Sequence, residues 1–287
     1  MIAITGASGG LGFSTLNALA AHPVVAIARN RGRLETRLRT APEVFLPRQT
    51  IVRQADYNDP ASLRDAFQGI TKLLQISASD IGEAAREQED NVVRAAQTAG
   101  VRHIVYTSTL YPEADARFRS AAQCRRTEDQ IRDSEMTYTF FRNSMYFETI
   151  PMFAGDGWAE GVIRLPVGEG KVSFVSREDI ALALAAVLMS DEHENATYNI
   201  TGEQAFTLAQ VAGMLTVTQR RVFCFQDMPL ESWKTGLPPG AMPPDQADWF
   251  LSLFEGIRKQ EFSVVSDTLA TLLNRAPQTL FSYLSHV

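Results

Sequence analysis

MIAITGASGGLGFSTLNALA, residues 1–20, is an apolar strand that runs through a glycine turn into a helical pattern, and this stretch decides the fold. Gly6 can turn the chain tightly off the strand, Gly9 lets a pyrophosphate approach the backbone, and Gly12 lets the helix pack closely against the sheet. Free N–H groups at the start of the helix attract phosphates. The order of strand, turn and helix predicts a dinucleotide-binding site; a tight turn without a ligand is the alternative.

The same turn also fits the nucleophile elbow of α/β-hydrolases. Residues 6–10 match G-x-S-x-G and place Ser8 between a strand and a helix. An elbow of this kind needs an oxyanion N–H group from an earlier strand and loop, whereas here the turn follows the first strand of the sequence. His193, in a polar loop, is the only histidine suited to act as the base. We therefore favour the dinucleotide site over the hydrolase.

Apolar runs and helical stretches alternate after the turn, as in repeated β-α units. Further strands are predicted at residues 24–27, 51–54, 72–76, 103–107 and 137–141, and helices at 31–39, from Asp59-Pro60 onward, at 83–99 and at about 116–134. With right-handed crossovers, these six strands predict an α/β fold built on a Rossmann-type doubly wound parallel sheet. Ligands of such a sheet bind beyond the carboxyl ends of its strands.

The pattern loosens from about Met145. Residues 179–189 and 206–215 are predicted as helices, residues 196–200 and 221–225 as strands, and the prolines between residues 229 and 244 as a loop. We predict a nucleotide-binding domain over residues 1–145, with some later segments packing back onto it. Residues 146–287 are predicted to form a smaller C-terminal α/β lobe that binds the substrate.

Composition and charge exclude several classes of protein. A formal net charge of −6 gives no support for direct binding of nucleic acid. Neither a signal-peptide pattern nor an apolar run long enough for a membrane span is present, so we predict a cytoplasmic protein without a membrane partner. Cys124 and Cys224 stand in unrelated contexts without metal-ligand spacing, which predicts neither a disulfide nor a metal site.

The end of the second strand indicates which dinucleotide binds. An acidic residue there binds the ribose 2′-hydroxyl of NAD, and an arginine accommodates the 2′-phosphate of NADP. Here the strand ends in Arg29-Asn30-Arg31, and Arg33 follows. A guanidinium matches a phosphate bidentately, so Arg29 predicts NADP(H), with Arg31 or Arg33 in support. Glu35 lies too far into the next helix to serve the ribose.

The proton donor of ordinary short-chain dehydrogenases is missing. Those enzymes commonly use Tyr-x-x-x-Lys, in which the lysine lowers the tyrosine pKa so that the phenol can exchange a proton during hydride transfer. No tyrosine of this chain has a lysine four residues later. Carbonyl reduction by that dyad is therefore not expected.

Several motifs together carry a family resemblance. They are TGASGGLG (5–12), ARN (28–30), QADY (54–57), VRHIVYTS (101–108), YTFFRNSMY (138–146), GEGK (168–171) and SREDIA (176–181). With them, the chain resembles the NmrA-like branch of atypical short-chain dehydrogenases, and within it the bacterial NADPH-dependent quinone and triphenylmethane reductases. The resemblance covers nearly the whole chain and fades in the proline-rich region. It implies a nicotinamide-binding sheet domain, a small C-terminal lobe, reduction of flat conjugated acceptors, and no Tyr/Lys dyad.

The resemblance also implies roles for individual residues. The pyrophosphate would be bound by Gly6, Ser8, Gly9, Gly10, Leu11 and Gly12, and the 2′-phosphate by Arg29. The adenine would be bound by Asp56 and Tyr57, and the ribose and nicotinamide by Ser77, Ala78, Ser79, Thr107 and Ser108. The substrate would be bound by Asn143 and Tyr146. Asn143 could instead cap the following helix, and Tyr146 could be core. Relatives usually carry a histidine where this chain has Cys124, so the substrate need not be shared.

Two functions fit these observations. The first is an NADPH-dependent reductase that passes hydride to a quinone-like or other conjugated small-molecule acceptor, with Asn143 or Tyr146 as a donor to the developing oxyanion. The second is a non-catalytic redox sensor like the NmrA regulators, which bind NADP(H) and a protein partner without turnover. The missing dyad is compatible with both. The sequence leaves open whether the protein is a monomer or a homodimer.

Overall fold

The computed structural model describes residues 1–40, 50–155 and 157–287. These residues form two compact units, each assembled from several segments. The first comprises residues 1–108, 123–142 and 177–198, and the second comprises residues 109–122, 143–176 and 199–287. Segments from both sides of residue 145 thus contribute to the first unit. A functional division of the chain at residue 145 stays a prediction.

The main sheet is built from strands whose bounds follow the predicted alternation. They are β1 (Ile2–Ile4), β2 (Val24–Ala28), β3 (Ile51–Gln54), β4 (Lys72–Gln75), β5 (His103–Thr109) and β6 (Thr137–Asn143). Their order in the sheet is β3-β2-β1-β4-β5-β6, and β1 pairs in parallel with both β2 and β4. Strands β2 and β3 are thus added on one side of β1, and β4, β5 and β6 on the other side. This order confirms the predicted doubly wound Rossmann-type fold.

Burial explains why these strands pair in parallel. Every residue of β2 is buried, and so is every residue of β5 except its last. Strands covered on both faces read as continuous apolar runs, and helices supply the cover. The helices between and beside these strands are α1 (Gly10–Ala18), α2 (Arg31–Thr40), α3 (Pro60–Ala66), α4 (Gly82–Thr98) and α5 (Arg119–Arg132).

Local capping sets the ends of two of these helices as predicted. The Asp59 side chain accepts hydrogen bonds from the N–H groups of Ala61 and Ser62, with Pro60 in the first turn of α3. After α4, Gly100 takes a left-handed conformation with φ +76°. Apolar side chains beneath α3 and α4 form the core of the first unit together with residues from β1, β2, β4 and β5.

The sheet is wider than predicted. Within the described residues it has seven strands, because β9 (Ala196–Ile200) lies beside β6 at the edge. The sequence pattern identified this strand but assigned it to the C-terminal lobe. Although β9 follows residue 145 in the sequence, it joins the main sheet because its backbone groups pair with the unpaired groups of the neighbouring strand.

The second unit contains short strands and helices around its own apolar core. Its strands are β7 (Val162–Arg164), β8 (Lys171–Val172), β10 (Phe206–Thr207) and β11 (Cys224–Gln226); its helices are α6 (Ile150–Ala154), α7 (Gly157–Glu160), α9 (Leu208–Thr218), α10 (Leu230–Thr235), α11 (Pro244–Arg258), α12 (Thr268–Leu273) and α13 (Leu280–Leu284). Helix α8 (Arg177–Leu188) belongs to the first unit and packs against α1.

Two predictions for this region need correction. The predicted helix over residues 206–215 begins two residues later, because Phe206 and Thr207 pair with β8 and Thr207 caps α9 in a capping box. The predicted proline loop contains a helix, α10, since Pro229 precedes it and leaves its interior free of proline. None of the described helices is long and apolar enough to cross a membrane.

Candidate functional site

The glycine turn after β1 is held by its own backbone. Gly6 has φ +59°, a conformation that favours glycine, and its carbonyl oxygen accepts the N–H of Gly9 at 2.8 Å. A Cβ atom on Gly12 would stand 2.4 Å from the Gly6 carbonyl oxygen. Any side chain at Gly12 would therefore push α1 away from the turn.

The start of α1 leaves hydrogen-bond donors at this turn. Among the described residues no side chain caps the helix at Gly9, and the first N–H that bonds back to Gly9 is that of Phe13, at 3.1 Å. The N–H groups of Gly10, Leu11 and Gly12 belong to the first helical turn, which has no partners within the helix. Such a helix end attracts an anion.

A cleft of about 270 Å³ opens at the carboxyl ends of β1 to β4. Nine of the predicted cofactor residues line it: Gly6, Ser8, Gly9, Arg29, Asp56, Tyr57, Ser77, Ala78 and Ser79. Gly10, Leu11 and Gly12 form the adjoining first turn of α1. The structure thus brings together, at one edge of the sheet, residues as far apart in the chain as Gly6 and Ser79.

Arg29 lines this cleft and comes directly after β2. Its neighbour Asn30 accepts the N–H of Arg33 at 2.9 Å and so fixes the start of α2. The carboxylate of Glu35 is bound by Arg31 at 2.7 Å, one turn away on the same helix. The acidic residue nearest to β2 along α2 is therefore engaged, and the charge that faces the cleft from this loop is positive.

Two further arginines stand at the glycine turn, and the sequence did not single them out. Arg37 donates to the Ser8 carbonyl oxygen at 2.6 Å, and its guanidinium lies 3.8 Å from the centre of the Phe13 ring. Burial, together with the nearby charges of Arg33 and Arg177, lowers the Arg37 pKa. The Arg177 guanidinium lies over Gly10, where a Cβ atom would come within 3.1 Å of it.

Asp56 and Tyr57 line the cleft, and the side chains of both also make hydrogen bonds within the protein that stabilise it. The N–H of Asn58 donates to the Asp56 carboxylate at 2.9 Å. The Tyr57 hydroxyl lies 2.8 Å from the Ile76 carbonyl oxygen and 2.5 Å from Thr5 Oγ1, so it links the ends of β4 and β1. Burial raises the Tyr57 pKa well above its usual range. The hydroxyl is thus structural, and only the ring remains for contact with a ligand.

The loop after β4 is fixed by two buried side chains. Thr107 Oγ1 accepts the N–H of Ser77 at 2.9 Å, and Glu89 Oε1 accepts the N–H of Ala78 at 2.7 Å. Thr107 therefore supports the loop from β5, whereas Glu89, on α4, is a contact that the sequence analysis missed. Ser108 Oγ is buried without a hydrogen-bond partner among the described residues.

Asn143 and Tyr146, the predicted substrate residues, belong to the second unit. Asn143 is only 6% exposed, and its Oδ1 atom has no hydrogen-bond partner among the described residues. Tyr146, not Asn143, occupies the cap position of the 3-10 turn at residues 147–149. The capping alternative for Asn143 is therefore wrong. Tyr146 is half-buried and bridges to Val175.

Cys124 lies in the core of the first unit. The Tyr106 hydroxyl is 3.6 Å from its sulfur, and burial raises the Cys124 pKa to about 12. The thiol is thus neutral near pH 7, and Cys124 is not among the described residues that line the cleft.

The hydrolase alternative finds no support at this site. His193 Nδ1 lies 2.8 Å from the Tyr198 hydroxyl, so the proposed base is engaged by a tyrosine. Within residues 1–40, 50–155 and 157–287, no group of three or more His, Cys, Asp or Glu side chains could hold a metal ion.

Comparison with known proteins gives a consistent set of matches. A model of the family described as NAD(P)H-binding matches residues 6–191. The chain is 35% identical over 292 residues to quinone oxidoreductase 2 of Escherichia coli strain K12, covering 100% of this chain and 98% of that protein. It is 29% identical over 286 residues to an NmrA-like family domain-containing oxidoreductase of Aspergillus flavus, covering 96% of this chain and 90% of that protein.

A solved structure extends the similarity to three dimensions. The crystal structure of the Citrobacter sp. triphenylmethane reductase complexed with NADP(H) superposes with a TM-score of 0.86 at 33% sequence identity. The match covers 99% of this chain and 99% of that chain. The likeness therefore extends over both compact units of the fold.

Proposed function

The chain belongs to the NAD(P)H-binding family, and on that premise we propose that it is an NADPH-dependent reductase of quinone-like or other conjugated small molecules. The predicted NmrA-like relationship and the class of NAD(P)H-dependent reductase are confirmed by the full-length relatives. The residue roles, the compartment, the oligomeric state and the absence of nucleic-acid binding stay predictions.

One observation carries the proposal: the cleft at the carboxyl ends of β1 to β4 is shaped for a dinucleotide. The first turn of α1 presents N–H groups without a side-chain cap, and the absence of a Cβ atom at Gly12 keeps that turn close to β1. Arg29 adds a cation to the lining of the cleft. These features fit a pyrophosphate flanked by a second phosphate.

The arginines after β2 support a preference for NADPH over NADH. A 2′-phosphate is a dianion that a guanidinium can bind through two parallel hydrogen bonds. Arg29 and Arg33 supply guanidinium groups at the right place in the chain, and the carboxylate of Glu35 is bound by Arg31. We assign the 2′-phosphate to Arg29, with Arg33 in support.

The acceptor side of the reaction is assigned to Asn143 and Tyr146. The bound nicotinamide supplies a hydride, and reduction of a quinone also needs a proton and a group that stabilises negative charge on the quinone oxygen. Asn143 supports this role because its side chain is buried and its Oδ1 atom has no hydrogen-bond partner in the part of the chain that the structure describes. An amide that is not already engaged in the fold can turn its Nδ2 donors toward a developing oxyanion. Solvent can supply the proton.

The proposal is tested by incubating the purified protein with NADPH and a panel of quinones and triphenylmethane dyes. Loss of the reduced-nicotinamide absorbance should depend on both protein and acceptor, and NADH should support a slower rate. Tight NADPH binding without turnover of any acceptor would contradict the reductase and support the sensor instead. A rate that is equal with NADH and NADPH would contradict the role of Arg29.

A further inference from the structure

A carboxyl group is buried beneath the wall of the cofactor cleft. Glu89, in the middle of α4, has a relative exposure of 0%. Its Oε1 atom accepts the N–H of Ala78, and its Oε2 atom accepts a short hydrogen bond from the side-chain amide of Gln75. A carboxyl group without solvent contact is costly to ionise unless such donors stabilise it.

Glu89 is connected directly to the cleft through the loop after β4. Ser77, Ala78 and Ser79 all line that cleft. The side chains that fix the loop backbone are Thr107, which holds the N–H of Ser77, and Glu89, which holds the N–H of Ala78. The strength of the Ala78–Glu89 hydrogen bond depends on the charge of Glu89, whereas the strength of the Ser77–Thr107 hydrogen bond does not.

Polar groups from several elements face this carboxyl group. They are Gln75 on β4, Tyr106 on β5, Gln123 and Cys124 on α5, and Tyr57 after β3. Burial is the largest influence and raises the Glu89 pKa to about 7, although hydrogen bonds from Ala78, Gln75, Gln123 and Tyr106 oppose it. The phenols of Tyr57 and Tyr106 and the thiol of Cys124 all have raised pKa values, so they remain neutral where Glu89 titrates.

The amide of Gln75 is suited to both charge states of Glu89. In the present arrangement its Nε2 atom donates to the carboxylate, and its Oε1 atom is buried without a partner among the described residues. If Glu89 gains a proton, the same amide can rotate and accept that proton through Oε1. The ionised arrangement thus leaves one oxygen of Gln75 unpaired, and the protonated arrangement pairs it.

We propose that Glu89 is a positioning residue whose ionised carboxylate holds the Ser77–Ser79 loop in the conformation that binds the dinucleotide, and whose protonation loosens that loop. The proposal rests on the proposed function, because it assumes that this cleft holds NAD(P)H. A hydrogen bond to a charged acceptor is stronger than one to a neutral acceptor, and the difference corresponds to about fivefold in affinity.

The test measures the dissociation constant of NADH across the pH range about 5.5 to about 8.5, for the wild type and for Glu89→Gln. NADH is the probe because the 2′-phosphate of NADPH itself titrates near pH 6, as phosphate monoesters do. We expect the variant to bind about fivefold more weakly than the wild type at high pH, and equally well at low pH where both side chains are neutral. A ratio of affinities that does not change with pH would overturn the proposal.

Asp90→Asn is the matched control. Asp90 is the next residue on α4 and is also buried, but its carboxylate pairs with Arg94 and Arg126 at 3.2 and 2.6 Å instead of the loop. The affinity of the Asp90→Asn variant for NADH should differ from that of the wild type by the same factor at every pH. A pH-dependent ratio equal to that of Glu89→Gln would show that any buried charge on α4 has this effect, and would contradict the proposal.

Gln75→Met gives an independent test if Glu89→Gln does not fold. This variant removes a donor that favours the charged carboxylate, so the midpoint of the pH dependence of NADH binding should move upward by about one pH unit. An unchanged midpoint would contradict the role of Glu89. Failure of the proposed function has a different signature: the wild type would bind both dinucleotides, with the predicted pH dependence, but reduce no acceptor.

Discussion

Two clefts lie at opposite ends of the same parallel sheet, and they differ in size and in chemistry. The cleft at the carboxyl ends of the strands measures about 270 Å³, and the one at the amino ends of β4, β5 and β6 measures about 720 Å³. In the larger cleft Lys72 donates to the Ser190 carbonyl oxygen at 2.6 Å and to Asp191 at 2.9 Å. Lys72 is thus already bound by groups of the protein, and Arg102 is a second cation among the residues that line the larger cleft.

The start of a helix distinguishes the smaller cleft. The first turn of α1, which no side chain of the described residues caps, adjoins this cleft, and Arg29 is among its lining residues. At the opposite end, the ring nitrogens of His103 lie 2.8 and 3.0 Å from the hydroxyls of Thr137 and Thr139. We therefore place the ligand by the uncapped start of a helix, and not by the volume of the cleft.

The largest expected effect comes from a side chain at the glycine turn. Gly12→Ala places a Cβ atom 2.4 Å from the Gly6 carbonyl oxygen, so α1 must move and NADPH binding should be lost. Overpacking of this kind also costs about 1–3 kcal/mol of unfolding free energy. Fluorescence titration with NADPH and thermal unfolding measure the two effects.

Gly213→Ala is the control for this substitution. A Cβ atom on Gly213, within α9, meets no heavy atom within 4 Å. In a helix interior the change should stabilise the protein by about 0.5–1 kcal/mol and leave NADPH binding intact. Equal NADPH affinities for Gly12→Ala and Gly213→Ala would show that the glycine turn is not part of the NADPH site.

The second largest effect is expected at the end of β6. Asn143→Ala removes the proposed donor to the oxyanion, and loss of one such donor lowers kcat by about 100-fold. The dissociation constant of NADPH should stay the same. Steady-state rates with a quinone measure the loss, and Ser144→Ala, whose hydroxyl is bound by Ser173 at 3.1 Å, serves as the neighbouring control. Retention of full kcat in Asn143→Ala would show that a group other than Asn143 donates to the oxyanion.

A smaller and more selective effect is expected at Arg29. Arg29→Ala should raise the NADPH dissociation constant about 30-fold and change that of NADH by less than about twofold, since only NADPH carries the 2′-phosphate. Arg31→Ala is the control, because Arg31 pairs with Glu35 on the helix surface. Equal losses for both dinucleotides in Arg29→Ala would place the 2′-phosphate elsewhere.

The smallest effect is expected at the amino end of the sheet and concerns stability. Burial lowers the His103 pKa from 6.5 to about 4, so the folded protein keeps the ring neutral. Because the unfolded chain binds a proton more readily, stability is full above about pH 6.5 and falls as the pH drops toward 4. By pH 5 this loss is about 1–2 kcal/mol.

Urea unfolding at pH 7 and pH 5 tests this prediction on wild type and His103→Gln. The variant should lose less stability between the two pH values and should bind NADPH as tightly as the wild type. A weakened NADPH affinity in His103→Gln would contradict the separation between the two ends of the sheet.

The turn residues of the predicted cofactor site could be singled out from the sequence, but the side chains that support them could not. Gly6 follows β1, Gly12 lies in the first turn of α1 and Arg29 follows β2, positions that motif spacing specifies. Glu89 contacts the loop after β4 from α4, and Arg177 lies against Gly10 from α8; both contacts depend on helix packing that spacing alone does not specify. The same limit applies to β9, which the sequence identified as a strand but could not pair with β6.

Hydrogen–deuterium exchange with and without NADPH tests most directly which end of the sheet holds the cofactor. Our account predicts that NADPH slows exchange at the amides of residues 8–12 and 77–79 and leaves residues 71–72, 102–103 and 136–137 unchanged. Protection confined to this second set of residues, around the larger cleft, would contradict it.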